Sequence, residues 1–132
     1  MSSSEMDRAI ALAHQYRERA YAPYSGFAVG AALLTENGEV FPCANVENAS
    51  YGLTICAERA AAVSAVVAGH RQFRAIAIAG PSTTSTLPCG ACRQFLNEFN
   101  PRMVVCYTTA DGVEETTLDI LLPNAFGPQN LT

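Results

Sequence analysis

Apolar residues recur along the chain at two periods, and the alternation between them sets out the elements. Met6, Ala9, Ile10, Ala13, Tyr16 and Ala20 recur at helical spacing. Ser4 is placed to cap that helix, with Glu5 and Asp7 in its first turn, and Ala22-Pro23 requires an end near Ala20. Residues 28–35 are apolar and strand-like, and Asn37-Gly38 then signals a hairpin with Glu39–Ala44 as the return strand. Ala57–Ala68 predicts a helix closed by Gly69, and Phe73–Ala79 a buried strand. Pro81–Pro88 is a loop of hydroxyl residues, and Cys89–Phe99 predicts a helix that stops before Pro101. Met103–Thr108 reads as a second buried strand, Asp111-Gly112 as a turn and Val113–Thr117 as an edge strand. Thr117 is placed to cap a short helix, Leu118–Leu122, and a polar tail, Asn124–Thr132, follows.

The order α-β-β-α-β-α-β-β-α predicts an α/β fold with three layers, α/β/α, around a mixed five-stranded sheet. Right-handed crossovers carry its parallel part. With 132 residues and no linker or repeat, the chain is expected to form a single domain over 1–132.

Composition narrows the function. Hydrophobic residues make up 49% and charged residues 15%, which excludes intrinsic disorder. The apolar excess for so small a domain points to burial against other subunits. The net charge is −4 and all eight basic residues are arginine, which excludes lysine-based covalent or P-loop chemistry. A nucleic-acid partner is not expected without a basic stripe. Charge-free stretches such as 20–35 are broken by Pro, Gly or hydroxyl residues, so no membrane partner is expected either. Met-Ser-Ser-Ser-Glu-Met-Asp at the N-terminus is not a signal peptide, which predicts a cytoplasmic protein with reduced cysteines.

Five cysteines in such a chain call for an explanation. Cys89-Gly-Ala-Cys92 is a C-x-x-C pair, and Cys56 lies 33 positions earlier with Glu58 two residues beyond it. Each group is expected at a helix start, where free N–H groups and the helix dipole favour thiolate over thiol. Three thiolates suit Zn²⁺ and leave a fourth tetrahedral position open for a catalytic water of pKa about 7. Glu58 is placed to move protons beside it. Arg59 can donate to the ligand sulfurs and offset their charge. C-x-x-C alone also fits a redox dithiol, although the tryptophan usual before the first cysteine of such motifs is missing. A closed four-cysteine site would need Cys43 or Cys106, both in strand-like runs where buried cysteine commonly fills core.

Cys56-Ala-Glu58-Arg59 followed by Pro88-Cys89-Gly-Ala-Cys92-Arg-Gln resembles the zinc deaminase signature. Tyr21-Ala-Pro-Tyr-Ser25, Phe27-Ala-Val-Gly-Ala31, Asn45-Val-Glu47-Asn48 and Leu122-Pro-Asn-Ala-Phe126 extend the resemblance over nearly the whole chain. It is to the cytidine deaminase family in its small homotetrameric branch, where the first ligand is cysteine. The deoxycytidylate and nucleic-acid deaminases resemble the chain only at the zinc motif and usually carry histidine there. The resemblance implies that Asn45 and Glu47 hold the ribose, the carboxylate accepting from the 3′-hydroxyl. It places Phe27 against the base, and the backbone at Ala57 and Cys89 on the pyrimidine edge. Phe126 would reach in from a neighbouring subunit, so the active sites of a homotetramer would be shared.

The expected reaction is hydrolytic deamination of cytidine and deoxycytidine to uridine and deoxyuridine, with Glu58 as both base and acid, in pyrimidine salvage. Glu47 in the sugar site would repel a 5′-phosphate, so free nucleosides are expected over nucleotides. The rivals are a related zinc deaminase acting on another nucleoside or base, a zinc-stabilised binding protein and a thiol redox protein.

Overall fold

The computed structural model describes residues 3–131; residues 1, 2 and 132, the last of them the end of the predicted tail, lie outside the described part. Along the chain run α1 (Ser3–Arg17), β1 (Gly30–Thr35), β2 (Val40–Ala44), α2 (Ala57–Val67), β3 (Phe73–Ala79), α3 (Gly90–Asn97), β4 (Val104–Thr109), β5 (Gly112–Thr117) and α4 (Leu118–Leu121). The strands form one mixed sheet in the order β2-β1-β3-β4-β5. β3 and β4 pair in parallel, and every other neighbouring pair is antiparallel.

Period-two alternation splits the sheet into two unlike faces. Leu33, Ile76, Ile78 and Val105 pack against Ala57, Ala61, Ala62 and Ala65 of α2, Leu96 of α3 and Leu118. On the other face, Ala32, Leu34, Ala75, Ala77 and Ala79 meet Met6, Ala9 and Ala13 of α1. The alanines let α1 lie close to the sheet. At Gly30 the approach is closest: an added Cβ would stand 1.9 Å from the Ala13 carbonyl oxygen and 2.6 Å from the Arg17 nitrogen.

This topology builds the site. β2 and β3 run in the same direction on either side of antiparallel β1, with α2 as their crossover, and α3 crosses from β3 to β4. Helices α2 and α3 therefore start at the same end of the sheet and pack on the same face, with residues 56 and 89 at their N-termini. In open α/β sheets ligands commonly bind outside the carboxyl ends of the parallel strands, the end at which both helices start.

Several boundaries depart from the sequence expectation. α1 already includes Ser3, so Ser4 lies one residue inside the helix. The helix ends at Arg17, not Ala20, as Glu18, Arg19 and Ala20 close three-residue turns and the Arg17 Nε donates to the Ala28 carbonyl at 2.8 Å. β1 starts at Gly30, not 28, because the Asn45 side chain takes the place of ladder partners for Phe27 and Val29. Helix α3 begins at Gly90 with Cys89 at its cap and ends at Asn97, short of Phe99. Thr117 precedes α4 but its hydroxyl donates to the Asp119 carboxylate at 2.5 Å and bonds no helix N–H. Gly112 opens β5 and is not only a turn residue. The expected close of α2 is present: Gly69 has φ +105°, its N–H donates to the Val66 carbonyl and the His70 N–H to that of Ala65.

Candidate active site

Cys56 and Cys89 occupy the N-cap positions of α2 and α3 in extended backbone, and Cys92 lies in the first turn of α3. Their sulfurs converge: Cys56 and Cys89 stand 3.8 Å apart, Cys89 and Cys92 3.5 Å, and all three lie within 4.8 Å of one another. Three sulfurs bound to one tetrahedral Zn²⁺ at 2.3 Å stand about 3.8 Å apart. The donor set and its spacing therefore fit zinc. Cys43, half-buried against the α2-side core, and Cys106, buried on the α1 side, stay out of the cluster. Burial and the Glu115 carboxylate push the Cys106 thiol up to about 11.

The electrostatics of the cluster favour an anion. Interaction with Cys92 and with Arg59 holds the Cys56 thiol down to about 5, while the same pairing and burial raise that of Cys92. The Arg59 Nη2 lies 3.5 Å from the Cys56 sulfur and 3.4 Å from the Thr54 carbonyl oxygen. Its guanidinium is held more firmly charged by Cys56, with Cys92 contributing. Glu58, in the first turn of α2, is only 5% exposed. Burial pushes its carboxyl up to about 7, with the neighbouring Cys56 adding to the rise. A carboxyl poised near neutrality is suited to take and return protons.

A cavity of about 180 Å³ opens beside these groups, lined by Phe27, Asn45, Cys56, Ala57, Glu58 and Cys89, with Val29, Thr54, Thr86 and Leu87 completing it. Thr54 also lines a neighbouring lobe of about 400 Å³ walled by Tyr24, Ser25, Glu47, Asn48 and Tyr51. Phe27 is 40% exposed and sits in the cavity wall, not in the core. The Asn45 side-chain amide is committed to backbone: its oxygen accepts from the Val29 N–H and its nitrogen donates to the Phe27 carbonyl, both at 2.9 Å. Glu47 is drawn to its place because Tyr21 pairs with Val46, the Tyr21 N–H donating to Asn45 and the Glu47 N–H to Tyr21. Its carboxylate accepts from the Tyr24 and Ser25 N–H groups at 2.9 and 3.2 Å and from the Ser25 hydroxyl. These donors, the hydroxyl first, hold the Glu47 carboxyl below the usual range.

Phe126 does not line this cavity; the residue is 59% exposed, and its carbonyl accepts from Gln94 and Asn97 of α3. Thr54, Thr86, Ser25 and Tyr51 were not among the residues expected at the site. Thr86 is 5% exposed, and its hydroxyl has no hydrogen-bond partner among the described residues. Ser25 ends the Tyr21-Ala-Pro-Tyr-Ser25 motif, which is the signal that could have found it; no periodicity or motif marks Thr54, Thr86 or Tyr51, which become neighbours only through the fold.

The family model for the cytidine and deoxycytidylate deaminase zinc-binding region matches residues 3–108. The chain belongs to this family. Cytidine deaminases from Sporosarcina psychrophila and Halalkalibacterium halodurans are each 45% identical to it over 130 residues. The alignments cover 97% of this chain and 96% of the first relative, and 96% of this chain and 98% of the second. Among solved structures, cytidine deaminase from Burkholderia pseudomallei superposes with a TM-score of 0.86 at 50% identity, covering 91% of this chain and 98% of that one. The Mycobacterium tuberculosis enzyme superposes with a TM-score of 0.81 at 38% identity, covering 92% and 97%. The matched region, 3–108, contains Cys56, Cys89 and Cys92.

Proposed function

We propose that the protein catalyses hydrolytic deamination of cytidine and deoxycytidine to uridine and deoxyuridine, with release of ammonia, in pyrimidine salvage. The observation that carries the reading is the buried Glu58 beside three convergent cysteine sulfurs, on the wall of a cavity that shares Thr54 with a neighbouring lobe. We assign Cys56, Cys89 and Cys92 as the ligands of Zn²⁺, Glu58 as the catalytic acid and base, and Arg59 as the group offsetting the thiolate charge. Zinc bound there would lower the pKa of a water to about 7 and stabilise negative charge developing on oxygen.

The chain's own groups do the rest. Phe27 and the backbone at Ala57 and Cys89 hold the pyrimidine in the inner cavity, with Asn45 and Glu47 on the ribose. Glu58 takes a proton from the attacking water as its oxygen bonds to C4. It passes that proton to N3, which makes C4 electrophilic, then takes the remaining proton of the new C4 hydroxyl and delivers it to the amino group, which leaves as ammonia as the C4–N bond breaks and the C4 carbonyl forms. One carboxyl serves all three steps because its environment holds it near neutrality. The carboxylate of Glu47 disfavours a 5′-phosphate, and so nucleotides.

The protein is assigned as a single-domain, cytoplasmic homotetramer in which Phe126 of one subunit closes the pocket of another. Exposed Val67, Tyr51, Leu53 and Phe126 support burial against further copies. No helix among the described residues is long and apolar enough to cross a membrane.

Ultraviolet absorbance after cytidine is added to zinc-loaded protein tests the reaction, because conversion to uridine changes the spectrum, and ammonia can be measured in parallel. An unchanged spectrum with cytidine and deoxycytidine, together with ammonia release from another nucleoside or a free base, would transfer the site to a different deaminase substrate.

A further inference from the structure

Helix α3 does more than present Cys89 and Cys92. The Arg93 Nε donates to the Pro88 carbonyl at 2.7 Å, one residue before Cys89, and its Nη1 donates to the Leu121 carbonyl at 2.9 Å. Leu121 is the last residue of α4, where carbonyls have no helical partner. The next residue, Gln94, and Asn97 one turn further on donate to the Phe126 carbonyl at 2.8 and 3.4 Å. The same short helix therefore ends in the cysteine cluster on one side and holds the C-terminal arm on the other. Helix α3 spans only eight residues, too few to be stable without outside contacts. A guanidinium is a planar fork whose two bonds fix its orientation, so the carbonyls it joins are held relative to one another.

We propose that Arg93 is a positioning residue that couples metal retention at Cys89 to docking of the C-terminal arm, residues 118–127. The inference rests on the assignment of Cys89 as a zinc ligand. The fork holds the turn that presents the Cys89 sulfur only while α4 is seated. Zinc, by fixing Cys89 and Cys92, in turn keeps α3 in the position that seats the arm. Such coupling is reciprocal: whatever the arm contributes to zinc retention, zinc contributes to arm docking. The arm carries Phe126, so metal loading prepares the surface proposed to enter a neighbouring pocket.

Full-length wild type, Arg93→Gln and Arg93→Lys test this with two readouts other than turnover. These are zinc transfer to a colorimetric chelator and amide hydrogen exchange over residues 86–89 and 118–127, with and without zinc. In the wild type, zinc should slow exchange in the arm. Arg93→Gln should release zinc about tenfold faster, the low end for lost supporting bonds around a metal site. Its arm should exchange fast whether or not zinc is bound. Arg93→Lys, able to keep one of the two bonds, should fall between. Wild-type zinc release by Arg93→Gln, or arm protection that still follows zinc, overturns the proposal. If Arg93→Gln does not fold, unchanged release and exchange in Arg93→Lys overturn it. Cys89→Ser separates the two layers of the argument: zinc retained at full affinity there refutes the ligand assignment itself, whatever Arg93 does.

Discussion

Replacing Asn45 by alanine separates a structural role from a substrate role at one residue. Its amide oxygen accepts from the Val29 N–H in a buried bond, and its nitrogen donates to the Phe27 carbonyl in a partly buried one. Truncation leaves both backbone groups unpartnered. A buried group so stranded costs about 1–3 kcal/mol, and the Phe27 carbonyl, on an exposed wall residue, falls at the low end or below. The expected loss is about 1–4 kcal/mol, a large share of the roughly 5–15 kcal/mol that holds a domain folded. With a urea m-value of about 2 kcal/mol/M, the middle of the usual range, the unfolding midpoint should fall by about 0.5–2 M at fixed protein and zinc concentration. The same change frees Phe27, so KM for cytidine should rise. Asn45→Asp keeps the acceptor for Val29 but turns an oxygen toward the Phe27 carbonyl, so its stability should lie between alanine and wild type. An alanine variant within about 0.5 kcal/mol of wild type, with KM still raised, would refute this reasoning and leave Asn45 acting on substrate alone.

Asn45 also shows where the sequence stops being informative. The order of elements and the two faces of the sheet follow from hydrophobic period, and α1, β3 and α2 sit where their patterns put them to within a few residues. The cysteine cluster is legible because its chemistry is concentrated in two short motifs and the crossovers bring both helix starts to one end of the sheet. The edges of elements are less legible. β1 starts late because a side chain 16 residues away replaces its ladder, and Cys89 caps its helix from just outside it. Glu47 tells a similar story: a loop carboxylate in sequence, it is tied to Tyr24 and Ser25 by three hydrogen bonds that depend on Tyr21 pairing with Val46. Thr86 carries no local signal, since its importance lies in a buried hydroxyl with no partner among the described residues. Long-range pairing, not local pattern, decides each of these.

Three further variants test other parts of the account. Glu58→Gln keeps the shape of the buried side chain and removes its proton exchange; zinc content and nucleoside binding should persist while kcat falls about 100- to 10,000-fold, and near-normal turnover would remove Glu58 from the chemistry. Gly30→Ala drives a Cβ against the Ala13 carbonyl and the Arg17 nitrogen, backbone that cannot yield cheaply; thermal or urea unfolding should show a loss of about 1–3 kcal/mol or more, with KM little changed. Ser25→Ala removes the hydroxyl that contributes most to the lowered Glu47 pKa. A carboxyl depressed in the folded state stabilises it fully above the unfolded pKa, and that contribution is lost as pH falls through the folded value. In the wild type the Glu47 tie to residues 24–25 should therefore survive below the ordinary carboxylate value of 4.5. Without the hydroxyl the folded pKa moves back toward that value, so the tie loosens at a higher pH. A carbon-detected NMR titration of the Glu47 carboxyl reads this directly, and an unshifted midpoint in Ser25→Ala would show that the backbone N–H groups alone hold the charge.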